Sequence, residues 1–487
     1  MSILDHFKGQ DLTSDQQALL SELEYFLGKG HAPAFLLKGY AGTGKSYIMA
    51  GVTRYLSWLG KEFVIIAPTG KAAKVIASKT KFKATTIHRV IYKFFENDEE
   101  PKDEYLERKP DTSSYLNDNN DEPDTIYIVD ESSMISDKFS TSTDIGKFGS
   151  GYLLQDLMEY IDFRNNRKRR VIFIGDNAQL PPINNAYSPA LSEHLLAVVY
   201  KLQCQSFELT EVVRQKSDSG VMKNAQALRN VMETEKTIDF EFDAFSQDVN
   251  ILPSGSVLNK YFDLCEGRIE NTNNLIIIAR NNRIVYEYVC DIRAKLFAPS
   301  APIQINETVM CAKNFKTTNS FISNGELGRV TRILSEVECR KVDVHERLPN
   351  GVLVTPVELQ FLDLELEFKD DYGKPLLIRE KVLLNLMYSP FPKLEGTLYQ
   401  ALRADFNHRF FAHYKPNGEP YEEAKRYDPY LNCLHLKFGY AITCHKSQGS
   451  EWRHVFVDAY NYGKLIKDYR WLYTAITRTS DKLYICQ

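Results

Sequence analysis

The run Gly39-Tyr40-Ala41-Gly42-Thr43-Gly44-Lys45-Ser46 has the residue types and spacing of a phosphate cradle, GxxxxGK[ST]. Gly39, Gly42 and Gly44 let backbone N–H groups close around a phosphate beside Thr43. A helix starting at Lys45 would aim its positive end at the same anion. Lys45 would neutralise β- and γ-phosphate charge, and Ser46 would ligate Mg2+. A chance Gly-rich turn would lack these flanks, the apolar run Ala34-Phe35-Leu36-Leu37 before it and a helix-forming stretch after it. Further along, Ile126-Tyr127-Ile128-Val129-Asp130-Glu131 ends a buried strand in two carboxylates, where open α/β sheets bind ligands. Asp130 would hold the metal and Glu131 would orient or deprotonate an attacking water. An acidic pair ending a strand is by itself only a solvated turn; beside Lys45 and Ser46 it implies nucleoside triphosphate hydrolysis, with ATP and Mg2+ as the expected cofactors. Switches, transporters and chaperones share this much.

These residues need a scaffold, and the apolar runs supply one. Phe63-Val64-Ile65-Ile66, Thr125 to Val129 and Val171-Ile172-Phe173-Ile174 alternate with helical stretches, as buried parallel strands do. A second set, beginning near Phe207, includes Leu275-Ile276-Ile277-Ile278 and Val455-Phe456-Val457. The fold class is therefore α/β with two parallel-sheet domains, in keeping with 487 residues. Short alternating pieces (326–334, 352–366, 375–386) predict a small antiparallel barrel. Ten aromatics follow between Leu386 and Tyr430, partly at helical spacing. Hydrophobic residues make up 43% and charged residues 25%, as in a globular protein. No run approaches the roughly 18 apolar residues of a membrane span, and the opening MSILDHFKGQ lacks a basic-then-apolar signal pattern. A cytoplasmic protein without a membrane partner is expected. The eight cysteines form no CxxC pair, which argues against a zinc ribbon or a redox dithiol. Net charge is −4, but residues 96–124 hold twelve acids against three bases, so the rest of the chain is net positive and a basic nucleic-acid groove remains open to it.

The third strand ends Gly175-Asp176-Asn177-Ala178-Gln179-Leu180-Pro181-Pro182, which resembles motif III of superfamily 1 helicases. Ala67-Pro68-Thr69-Gly70-Lys71-Ala72-Ala73 resembles motif Ia of the RecD/Dda branch, and Thr86-Ile87-His88 its next strand-binding motif. Leu12-Thr13-Ser14-Asp15-Gln16 resembles the Q motif, with helix capping by Thr13 or Ser14 as the alternative. Glu208 to Arg214, Ala441 to Glu451 and Leu472 to Arg478 resemble motifs IV, V and VI. In this order and over nearly the whole chain, the motifs resemble superfamily 1 helicases of the 5′→3′ branch, Dda-type phage helicases above all. The segments 89–124 and 386–432 depart from that pattern in length.

The resemblance implies an ATP-dependent DNA helicase, active as a monomer on single-stranded DNA and DNA forks, alongside a single-strand-binding or replication protein. It further implies residence at the nucleoid of a bacterial cell or phage-infected host. Gln16 would read adenine, Gln179 would sense the γ-phosphate, and Gly449 and Glu451 would complete the nucleotide site. Arg214 and Arg478 would reach across the cleft as arginine fingers. Pro68, Thr69, Thr86, His88, Thr443 and His445 would touch the strand. Residues 1–88 and 125–199 would form the first RecA-like domain, and 200–304 with 433–487 the second. Residues 89–124 would be a pin, 305–385 an SH3-like barrel and 386–432 a tower-like insertion. Phe94 or Phe95 would stack on the end base pair, with plain packing as an even alternative. For Phe406, Phe410, Phe411 and Tyr414, core or domain packing is favoured over base stacking. Alternatives to the helicase are a nucleotide-gated single-strand binding or loader ATPase, and an RNA helicase of the same superfamily.

Overall fold

The computed structural model describes residues 2–7, 11–94, 112–140, 147–213, 219–234, 240–253, 255–317, 321–348, 351–411, 414, 418–461 and 464–487. Its centre is two parallel sheets. In the first, the strands run in the order Ala84–Thr86, Phe63–Ala67, Ile126–Val129, Arg170–Gly175, Ala34–Gly39, Cys204–Leu209, every pairing parallel. Apolar side chains fill both faces. Phe35 and Leu37 pack with the helices Ser14–Gly28, Lys45–Trp58 and Gly70–Thr80, while Ala34 and Leu36 pack with Leu153–Ile161. A strand covered on both faces can be apolar at every position, hence the continuous runs in the sequence.

Because all six strands point the same way, their carboxyl ends share one edge. The phosphate loop, Pro68-Thr69, Thr86, Asp130-Glu131, Asp176 and the segment after Leu209 all leave from it. The second sheet runs Val249–Leu252, Thr479–Cys486, Trp452–Asp458, Leu275–Ala279, Ala441–Thr443, again parallel throughout. The two parallel sheets are those the sequence predicts, with two corrections to the limits of the lobes. Cys204–Leu209, expected in the second lobe, pairs with Ala34–Gly39 as an edge strand of the first. Its half-exposed pattern, with Gln205 and Glu208 among the apolar residues, suits an edge. Leu436–Phe438, also expected in the second lobe, pairs with Thr308–Cys311.

That strand belongs to an antiparallel sheet ordered Glu338–Leu348, Gly351–Lys369, Leu327–Ile333, Thr308–Cys311, Leu436–Phe438, with Pro375–Leu383 added on Gly351–Lys369. Val382 bridges back to Leu434, so the sheet curls toward closure. The helix Gly396–Phe410 lies on Glu338–Leu348, burying Ala401 and Leu402 against Val344 and Phe361. Phe406 is buried and meets Tyr421 at 5.3 Å between centroids, so it packs, whereas Phe411 and Tyr414 stay exposed. Flanking the acidic segment, Tyr92–Phe94 pairs antiparallel with Thr112–Leu116. Phe94 ends that strand; Phe95 lies outside the described residues. Among the described residues no helix is long and apolar enough to cross a membrane.

Candidate functional site

The phosphate loop turns between the strand Ala34–Gly39 and the helix Lys45–Trp58, with Gly42 and Gly44 at φ of 78° and 85°. At Gly44 a side chain would be strained by its left-handed backbone, and it would also have to displace Gln16 Nε2, 2.7 Å away. Thr43 is buried, its hydroxyl donating to the Tyr40 carbonyl at 2.9 Å. Lys45 is half-buried and donates to the carbonyls of Gly39 (2.6 Å) and Tyr40 (2.9 Å). Burial lowers its proton affinity, opposed by Asp176, Glu131 and Asp130. Ser46 follows on the first turn of the helix.

Asp130 and Glu131 follow the strand Ile126–Val129, with Glu131 in a left-handed conformation (φ 49°). Burial and then the Glu131 charge raise the proton affinity of Asp130. A divalent cation would relieve that crowding, and glycine-borne amides beside Lys45 suit a triphosphate. Among the described residues, no cluster of three His, Cys, Asp or Glu could hold a metal alone. Mg2+ would therefore draw its remaining oxygens from phosphate and water, as Mg2+ in nucleotide sites does. Gln179 is 5% exposed and its Oε1 has no hydrogen-bond partner, an orphaned acceptor beside the site.

The second lobe closes directly on these loops. Tyr473 Oη donates to Asp176 Oδ2 at 2.6 Å and accepts from the Ala41 N–H at 3.0 Å. Thr474 Oγ1 accepts from Leu180 N–H, Gln448 Nε2 donates to the Leu180 carbonyl, and Arg470 donates to the Asn177 carbonyl. Arg229 pairs with Asp176 at 2.6 Å. A side chain at Gly449 would sit 3.9 Å from Glu131 Oε1, so the motif V turn faces the acidic pair. Glu451 follows on the exposed side of that turn.

Other expected residues fall less directly. Gln16 is 2% exposed and already engaged: Oε1 accepts from Thr13 N–H and Nε2 donates to the Thr43 carbonyl. Thr13 caps the helix Ser14–Gly28 in a capping box with Gln16, the alternative reading of that segment. Arg478 is buried and bonds its own helix through Thr474 O and Thr477 Oγ1. Arg214 lies outside the described residues; Val213, just before it, donates to the Gly42 carbonyl at 2.8 Å.

Of the strand candidates, Thr69 and Thr86 cap the helices Gly70–Thr80 and Ile87–Ile91. Pro68 and Thr443 are half-buried and His445 is exposed. His88 packs edge-on to Phe148, and burial lowers its pKa to about 4, so it is neutral at physiological pH. Beside Thr86, a groove is lined by Gly70, Lys74, Arg89, Phe321 and Ser323. There the Arg89 guanidinium lies 4.6 Å from the Phe321 ring centroid.

Sequence reasoning missed Arg229, Tyr473, Gln448 and the Lys74–Glu326 pair. Arg229 left one local signal, since it shares the inward face of its helix with Val221, Ala225 and Leu228. An arginine on an apolar face needs a buried partner.

Two family models match the chain, an AAA domain over residues 11–142 and a UvrD-like helicase C-terminal domain over 438–486. They cover the phosphate loop with the acidic pair and the motif V and VI segments. A RecD2 DNA helicase of Deinococcus radiodurans is 28% identical over 45% of this chain. The chain is thus similar to AAA domains around its phosphate loop and to helicases over its motif V and VI segments. An uncharacterized protein of Acanthamoeba polyphaga mimivirus is 24% identical to this chain over 96% of it and 98% of its own length. One from Methanocaldococcus jannaschii is 22% identical over 92% of the chain. The chain spans 36% of the methanococcal relative and 24% of the Deinococcus one. Similar solved structures include a Bacteroides Pif1 helicase with ADP-AlF3 and single-stranded DNA (TM-score 0.46, 15% identity, 98% of this chain and 92% of that one). Pif1 from Candida albicans gives a TM-score of 0.45 at 16% identity over 98% and 95%.

Proposed function

We propose that this protein is a superfamily 1 helicase that hydrolyses ATP to translocate 5′→3′ on single-stranded DNA and to open duplex ahead of it. One observation carries the reading: the phosphate loop and the motif III turn of one lobe are bonded by Tyr473, Thr474, Gln448 and Arg229 of the other. Anything that rearranges the nucleotide site must then move the lobes, which is what a motor requires. The loop amides, Lys45 and Ser46 would hold ATP, with Ser46 and Asp130 on Mg2+. Bound Mg-ATP supplies the phosphoryl group whose transfer to water drives the cycle. Glu131 orients and deprotonates that water, and Gln179 reports on the γ-phosphate end. Arg214 and Arg478 are the arginine fingers of this reading, and Gly449 and Glu451 complete the nucleotide site; such guanidinium groups contribute roughly 10³–10⁵ in rate. Gln16 shapes the adenine end by fixing Thr43.

Pro68, Thr69, Thr86, His88, Thr443 and His445 border the strand path across both lobes. The curled antiparallel sheet is the SH3-like barrel of the branch, a reading supported by the Val382–Leu434 bridge, and the helices after it are the tower-like insertion. Residues 89–124 are the pin of this reading.

Matched duplexes with a 5′ or a 3′ overhang, in DNA and in RNA, test this. The expected result is unwinding of DNA from the 5′ overhang, lost in Lys45→Ala. Opening from a 3′ overhang alone would overturn the polarity, a preference for RNA would overturn the substrate, and ATP turnover without strand separation would leave a gated binder.

A further inference from the structure

Arg229 sits on the second-lobe helix Gly220–Thr234, yet both of its ion pairs are with the first lobe. Nη1 donates to Asp176 Oδ1 at 2.6 Å and Nη2 to Glu208 Oε1 at 2.9 Å. The guanidinium also lies 3.4 Å from the ring centroid of Tyr40, inside the phosphate loop. One side chain thus ties together the loop, the motif III turn and the edge strand Cys204–Leu209. It is 5% exposed and Asp176 is fully buried, so neither has water as a substitute partner.

Asp176 in turn organises the residues after it. Oδ1 also accepts the Ala178 N–H at 3.0 Å, and the Asp176 carbonyl accepts the Gln179 N–H at 3.2 Å. Oδ2 takes the Tyr473 hydroxyl, which itself receives the Ala41 N–H. The position of Gln179, whose Oε1 is left unbonded, therefore depends on a carboxylate held from the other lobe. Two carboxylates already neutralise Arg229, so its charge is not available to a transferring phosphoryl group. Its geometry suits a different task from that of an arginine finger.

We propose that Arg229 is a positioning residue for ATP hydrolysis, holding Asp176, and through it Gln179, in register with Tyr40 of the phosphate loop when the lobes are together. The inference rests on the proposed ATPase activity. It explains how closure organises the turn that faces the γ-phosphate: removing Arg229 leaves a buried carboxylate unpaired, a costly state that the turn escapes by moving.

The test measures ATP turnover with and without oligo-dT, the Kd of a fluorescent ADP analogue, and thermal stability. Arg229→Gln is expected to lower kcat at least 30-fold with the ADP Kd within threefold of wild type, and Arg229→Lys to recover part of the rate. Arg229→Gln combined with Asp176→Asn should be no slower than either alone, because both break one link. Turnover within twofold of wild type overturns the proposal, as does a parallel fall of turnover, ADP affinity and melting temperature. If Arg229→Gln does not fold, Tyr473→Phe removes only the hydroxyl on Asp176; at least a fivefold loss of kcat is expected, and an unchanged kcat is equally fatal. Failure of the helicase reading looks different: wild-type turnover would not respond to oligo-dT, while the Arg229 comparison would still be read on basal turnover.

Discussion

Lys71 places an ammonium where nothing bonds it. Its Nζ is buried without a hydrogen-bond partner, 5.1 Å from the ring centroid of Trp452 on the opposite lobe. Burial lowers its pKa to about 8; Glu326 opposes the shift, while Arg478 and Lys369 add to it. Below pH 8 the folded and unfolded chains both carry the proton, and the folded chain bears the full cost of burying it. Between pH 8 and the unfolded value near 10.4 the unfolded chain binds more protons, so this residue makes stability rise with pH. Lys71→Met is therefore expected to stabilise the protein at pH 7 by on the order of 1–3 kcal/mol. The gain should fade toward pH 10 in urea unfolding curves; no gain at pH 7 would mean that the ammonium has an anionic partner in solution. Residues like this one mark where the sequence stops being readable. That Lys45 and Ser46 open a helix and that Asp130 and Glu131 follow a strand was legible, because short local spacings set those placements. Tyr473 reaches Asp176 across 297 residues and Arg229 reaches it across 53, and no local pattern encodes such a meeting.

At the scale of elements, the helix Gly70–Thr80 is pinned to the antiparallel sheet by a buried ion pair, Lys74 Nζ to Glu326 Oε1 at 2.7 Å. Lys74 also donates to the Lys369 carbonyl, and Glu326 Oε2 accepts the Ser323 N–H. Burial raises the proton affinity of Glu326 and Lys74 counters it. Truncating one partner leaves the other charge buried, so Lys74→Met alone should cost about 3–5 kcal/mol, and adding Glu326→Leu should recover much of it. A double-mutant cycle in urea checks this; additive losses would show the two side chains to be independent. Gly70, at the start of the same helix, admits the close approach, since a side chain there would collide with Ser323 Oγ. The parallel strands were legible because two buried faces make an unbroken apolar run. Glu338–Leu348 was not, because Cys339, Lys341, Asp343 and His345 face solvent and Arg340 turns inward to bond Asp405 at 2.8 Å. Cys204–Leu209 was assigned to the wrong lobe because its apolar pattern fits either sheet; its pairing with Ala34–Gly39 is a tertiary choice.

For the whole molecule, a net charge of −4 is the wrong guide to what it binds. The acids concentrate in residues 96–124 of the sequence, whereas at the carboxyl edge of the first sheet Arg89 is exposed beside the groove bordered by Thr86 and Phe321. On the second lobe, Lys446 lies next to His445 in the motif V segment. On the proposed function, a strand lying across both lobes would meet positive charge locally, and binding would release the counterions condensed on it. With about five phosphates neutralised, the slope of log affinity against log salt is about −3.5 for a single strand. Raising salt from about 50 to about 200 mM should then weaken oligo-dT binding roughly 100-fold, as read by fluorescence anisotropy. Arg89→Ala should flatten the slope by about 0.7 and weaken binding to every base sequence alike, because a phosphate contact carries no sequence information. A salt-independent affinity would place the strand on apolar surfaces alone, and the groove between Thr86 and Phe321 would lose its claim to the phosphate backbone.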